Sequence, residues 1–176
     1  MIYSELEERA RIFATAAHAA IDHRRKYTQE PYIVHPAAVV EILRTVRHTQ
    51  EMIAAAWMHD VVEDTKVGLH LIDQEFGGAV AELVWWLTDL SVPEDGNRAA
   101  RKAIDREHNA NAPPSAQTVR MADLIHNTKS IVEHDPEFAR TYVREKELLL
   151  DVLTKADPAL IAIAKMQLEE YTGIIH

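Results

Sequence analysis

Apolar residues recur at helical spacing along almost the whole chain, while alternating β-branched runs are nearly absent, and this periodicity predicts an all-α fold. Within it one segment is decisive. Met52-Ile53-Ala54-Ala55-Ala56-Trp57-Met58 is almost wholly apolar and runs straight into His59-Asp60-Val61-Val62-Glu63-Asp64. On one continuous helix, His59 would lie over Glu63 and Asp60 over Asp64, giving two polar stripes at the edge of a core. Unpaired carboxylates are costly there, and a cation is the simplest remedy.

At 176 residues and 47% hydrophobic content the chain is expected to form a single domain, residues 1–176. The spacing predicts a first helix opened by a Ser4/Glu7 capping box, with a stripe of Leu6, Ala10, Phe13, Ala14 and Ala17, ending near Arg25. Pro36 suits the first turn of a second helix, and a third is expected from about Gln50 to Glu63. A short helix from Leu69 to Phe76 meets Gly77-Gly78, and Ala79 to Leu87 is apolar enough to be core. Asp89 to Asn97 reads as a mobile loop, followed by a helix over Arg98 to Asn109. Ser115 can cap the helix that carries Asp123, and two last helices are expected from Pro136 to Thr154 and from Pro158 to about Tyr171. Trp57, Trp85 and Trp86 are expected to fill core.

The absence of cysteine removes thiolate sites and leaves His, Asp and Glu as the strong metal ligands. Candidates are His35 at a helix start, the adjacent His59 and Asp60, and Asp123 on a later helix. Two histidines and two carboxylates suit manganese, iron or zinc better than an all-oxygen calcium site. Glu63 or Asp64, one turn beyond the ligands, is placed to orient a water or move its proton. Arg24-Arg25-Lys26 offers cations for phosphate, although a solvated helix terminus would read the same way. Asn127 follows Asp123 by one turn and can face the same cleft. A net charge of −9 argues against a nucleic-acid footprint. No apolar run reaches a membrane span, and residues 1–8 lack the pattern of a signal peptide, so a cytoplasmic protein with no membrane role and no obligate protein partner is expected.

Arg25-Lys26, Pro31-Tyr32-Ile33-Val34-His35-Pro36, His59 through Thr65 and Met121 through Asn127 together resemble the HD-type hydrolase domain of RelA/SpoT homologues, and in particular the small alarmone hydrolases. The similarity covers a core of about residues 10–130, with C-terminal helices at about 136–171. It implies an all-helical HD-domain phosphohydrolase with one metal ion, usually manganese, on His35, His59, Asp60 and Asp123. It further implies water activation by Glu63 and Asp64, nucleotide contacts from Arg25, Lys26 and Asn127, and a looser match at Tyr142. The implied reaction removes the 3′-pyrophosphate from guanosine tetra- or pentaphosphate. The adenosine analogue (p)ppApp, a broader nucleotide phosphatase acting for example on NADPH, and a silent nucleotide-binding regulator are the alternatives. Three segments depart from the family pattern. Ala20-Ile21-Asp22-His23 replaces a His-x-Gly-Gln, Leu124 replaces an Arg beside the site, and Asp89 to Asn97 lacks the usual basic continuation.

Overall fold

In the computed structural model, which describes residues 4–175 with side chains through 172, helices dominate and the described residues contain no strand beyond one isolated bridge, Arg24 to Pro31. The first three of the residues read against a signal peptide lie outside the described residues. Backbone contacts separate two compact units, Met1–Thr88 and Asp89–His176. No described helix is long and apolar enough to cross a membrane.

In the first unit, α1 (Glu5–Ala19), α2 (Val34–Leu43) and α6 (Gly78–Leu87) each pack against the central α3 (Gln50–Met58). Thr49 starts α3 by accepting from the Met52 amide at 3.3 Å. Every residue from Met52 to Met58 is buried, as an apolar run this dense requires. The expected third helix does not continue to Glu63. It stops at Met58, Asp60 takes φ −100° and ψ −2°, and a separate turn, α4 (Val61–Asp64), follows. Asp60 thereby sits in the sparsely populated bridge region, and the two-stripe arrangement of one continuous helix is replaced by a kinked pair. After α5 (Leu69–Phe76), Gly77 at φ 84° makes the left-handed turn into α6 that a side chain would strain.

The Ser4 half of the expected capping box forms, accepting from the Glu7 amide at 3.2 Å. The Glu7 carboxylate is instead buried, where it accepts from Trp57 Nε1 at 3.2 Å and pairs with Arg44. α1 also ends earlier than expected, at Ala19 rather than near Arg25. Of the three tryptophans, Trp57 is core, while Trp85 is exposed and meets Trp86 edge to face at 4.5 Å.

In the second unit, α8 (Pro114–His134) packs on α9 (Pro136–Leu150) and α10 (Pro158–Ile175), and α7 (Arg98–Asn111) packs on α9. Pro114 rather than Ser115 opens α8, and Pro136 and Pro158 likewise open their helices, where a missing N–H costs nothing. α9 stops at Leu150, short of Thr154. The fully buried Gln117 donates to Asn109 C=O at 3.0 Å and accepts from the Lys155 amide at 2.8 Å, tying the α9–α10 connection to α7 and α8. The segment expected to be mobile is anchored at its start, where Asp105 accepts from the Leu90 and Ser91 amides at 3.1 and 2.9 Å, before a 3₁₀ turn at Pro93–Asp95.

Candidate active site

His35 enters from the first turn of α2, and His59 and Asp60 from the break after α3. Both histidines are fully buried. His59 Nδ1 lies 2.8 Å from the Ala56 carbonyl, which can only accept, so the proton belongs on Nδ1 and the Nε2 lone pair faces inward. His59 Nε2 is 3.2 Å from His35 Nε2 and 2.9 Å from Asp60 Oδ2, and His35 Nε2 is 3.5 Å from the same oxygen. Two imidazole nitrogens and a carboxylate oxygen thus lie within 3.5 Å of one another, a donor set of the kind that binds a divalent metal. A divalent cation would take the place of any proton shared between the rings and draw all three groups into coordination, so the residues fit one.

Tyr32 O–H donates to Asp60 Oδ2 at 2.5 Å, which fixes the carboxylate's rotation from outside the ligand cluster. Tyr32 itself is held by a short hairpin. Its amide donates to His23 C=O at 3.0 Å, and the Arg25 amide donates to Glu30 C=O at 2.9 Å, either side of the Arg24–Pro31 bridge. Positive φ at Asp22 (48°) and Gln29 (59°) turns the chain into this hairpin and around its tip. His23, Arg25 and Tyr32 then share one face. The His23 ring stacks on Tyr32 at 3.8 Å with planes 9° apart, and the Arg25 guanidinium lies over the same ring at 5.6 Å. Lys26 is exposed near the hairpin tip, above the Tyr27 ring at 4.8 Å.

Of the acidic pair on α4, Asp64 keeps a third of its side chain exposed. Burial, reinforced by the Asp60 charge and partly offset by His59 and a Tyr32 hydrogen bond, pushes its carboxyl up to about 6. Glu63 is exposed on the same turn. In the second unit Asp123 is buried on α8, with Oδ1 accepting from Asn127 Nδ2 at 2.7 Å and Oδ2 3.6 Å from Arg120 Nη1. Burial first, then the Asp123 charge, raises the Tyr142 phenol, against a hydrogen bond with Thr128. The structure thus joins His35, His59 and Asp60 in one unit, and Asp123, Asn127 and Tyr142 in the other. Tyr32, His18 and His23 carried no assignment from the sequence. The signals there were the place of Tyr32 in the Pro31–Pro36 motif and of His23 in the segment that departs from the family pattern, with His18 five residues before it.

A family model described as HD domain matches residues 10–154. Human MESH1, a guanosine-3′,5′-bis(diphosphate) 3′-pyrophosphohydrolase, is 31% identical over 137 residues, which cover 74% of each chain. A probable guanosine-3′,5′-bis(diphosphate) 3′-pyrophosphohydrolase of Synechocystis is 35% identical over 140 residues, 78% of this chain, yet the match spans only 18% of that longer protein. A solved metazoan orthologue of SpoT that hydrolyses ppGpp has a TM-score of 0.85 at 24% identity, covering 97% of both chains, and supports the fold.

Proposed function

The chain belongs to the HD-domain family and is related to MESH1, and from that premise we propose that it is a metal-dependent pyrophosphohydrolase acting on guanosine 3′,5′-bis-polyphosphates. The observation that carries this reading is the buried convergence of His35, His59 and Asp60 beside an acidic turn, in a chain that covers 74% of a relative with that named activity. The family model runs from residue 10 to 154, through both compact units, which supports treating residues 1–176 as one hydrolase domain.

His35, His59 and Asp60 would hold the divalent ion, and the motif match at Met121 through Asn127 adds Asp123 as the fourth ligand. Manganese is the ion proposed, from the N/O donor set and the family resemblance. A bound divalent ion supplies Lewis acidity, acidifying water and neutralising phosphoryl charge. Asp64, its carboxyl raised toward neutrality, suits proton acceptance from the attacking water better than an ordinary surface carboxylate, and Glu63 orients that water. The water oxygen bonds to the phosphorus attached to O3′, the P–O3′ bond breaks, and O3′ leaves with a proton as pyrophosphate is released. Arg25 and Lys26 hold phosphate oxygens, while Asn127 and Tyr142 contact ribose or phosphate.

The test is a manganese-supported panel of ppGpp, pppGpp, ppApp, pppApp and NADPH with products identified. Pyrophosphate with GDP or GTP is the expected outcome, abolished in Asp60→Ala. Release of orthophosphate alone overturns the assignment, and exclusive turnover of the adenosine compounds moves it to (p)ppApp.

A further inference from the structure

His18 and His23 form a pair that the ligand cluster and the acidic turn do not require. Their Nδ1 atoms are 3.1 Å apart, so one proton lies between them. His18 is 1% exposed, and its Nε2 has no hydrogen-bond partner. If His23 were the donor, neutral His18 would carry its proton on that orphaned Nε2, leaving a buried N–H unsatisfied. If His18 Nδ1–H donates to His23, the orphaned atom bears only a lone pair, the less costly alternative. Burial holds His18 down to about 4 and also lowers His23, so both rings are neutral near pH 7. Asp64 Oδ2, at 4.0 Å from His23 Nδ1, is too far to claim that proton by a hydrogen bond. The arrangement therefore leaves His23 with its proton on Nε2, at the ring edge turned away from His18, on a side chain that remains 24% exposed.

The hairpin decides what that donor meets. His23 and Arg25 are two residues apart on one face, both against the ring of Tyr32, whose hydroxyl reaches Asp60. A donor beside an arginine on the wall of the site suits an anionic oxygen. We propose that His23 is a further substrate-contacting residue, donating from Nε2–H to a phosphate oxygen of the nucleotide that Arg25 holds, with its tautomer set by His18. The proposal rests on the alarmone reading only for the identity of that nucleotide.

Three variants and one spectrum test it. His23→Phe keeps a ring on Tyr32 without a donor and should raise KM for ppGpp about tenfold with kcat nearly unchanged. His23→Gln restores a donor and should return KM to within about threefold of the parent. His18→Phe frees the His23 tautomer and should give an intermediate KM. Long-range ¹⁵N–¹H spectra of the magnesium-loaded protein should show His18 protonated at Nδ1 and His23 at Nε2. Inorganic pyrophosphate should shift the His23 Nε2 resonance, and guanosine should not. An unchanged KM in His23→Phe, a His23 proton on Nδ1, or a response to guanosine alone overturns the proposal. If the parent hydrolyses no alarmone while the pyrophosphate shift persists, the alarmone reading fails and the His23 contact stands.

Discussion

At the scale of single residues, the side chain that organises the candidate metal centre without being one of its ligands is Tyr32. Its hydroxyl donates to the Asp60 oxygen that also faces His59 and His35. Groups that orient a metal ligand from outside are typically worth about 10- to 100-fold in metal affinity or activity. Tyr32→Phe retains the ring that His23 stacks on and removes the hydroxyl that meets both Asp60 and Asp64. It should weaken divalent-metal affinity about tenfold or more, read by competition titration, and lower pyrophosphate release at limiting metal. Excess metal should restore much of the rate. A variant with parental affinity would mean that Asp60 is oriented by its backbone alone. The Asp60 backbone does contribute, since the bridge-region conformation directs the carboxylate where a continued helix would not.

Among elements, the Glu7 carboxylate ties three helices of the first unit together, linking α1 to Trp57 on α3 and to Arg44 just after α2. Arg44 keeps a quarter of its side chain exposed, so the ion pair is partly screened, but the indole N–H is buried and needs its acceptor. Glu7→Ala should cost about 3 kcal/mol, seen as a lower urea midpoint at unchanged slope. A loss below about 0.5 kcal/mol would show water replacing the carboxylate. This residue also marks where sequence reasoning stops. Ser4-x-x-Glu7 reads locally as a capping box, and the tertiary partners 37 and 50 residues away redirect half of it. The helix starts at Pro136 and Pro158, the buried run Met52 to Met58 and the candidate cluster of His35, His59 and Asp60 were legible, because they depend on local chemistry and periodicity. The kink at His59-Asp60 was not, since the weak helix preferences of His59, Asp60 and Val61 are too small to locate a break in a run whose apolar period continues through them. The His23–Tyr32 stack depends on a hairpin whose turns use Asp22 and Gln29 rather than the glycines that would have signalled it.

For the molecule as a whole, stability should depend on pH through Lys146. Its side chain is 1% exposed, with Nζ donating to Gln167 Oε1 at 2.9 Å, while Gln167 Nε2 donates to Ile125 C=O at 3.2 Å. The network joins α9, α10 and the helix that carries Asp123, and Gln167 lies beyond the residues that the HD model matches. Burial pushes the Lys146 ammonium down to about 7 from 10.5. Below pH 7 the lysine is charged both folded and unfolded, and the folded state carries the full cost of a buried ammonium. Between about 7 and 10.5 the unfolded chain binds the extra proton, so this group adds stability as pH rises, roughly 5 kcal/mol in all. The acidic surface, with net charge −9, opposes the trend through self-repulsion, so the difference from a lysine-free variant isolates it. Lys146→Met should therefore be more stable than the parent at pH 6, by about 2 kcal/mol after the loss of the Gln167 hydrogen bond. The advantage should shrink through pH 8 and reverse near pH 10, where the parent's neutral amine keeps that bond at no ionisation cost. Urea midpoints at the three pH values measure it, and a difference that does not change with pH would place a charged, solvated ammonium at Lys146 in the folded protein.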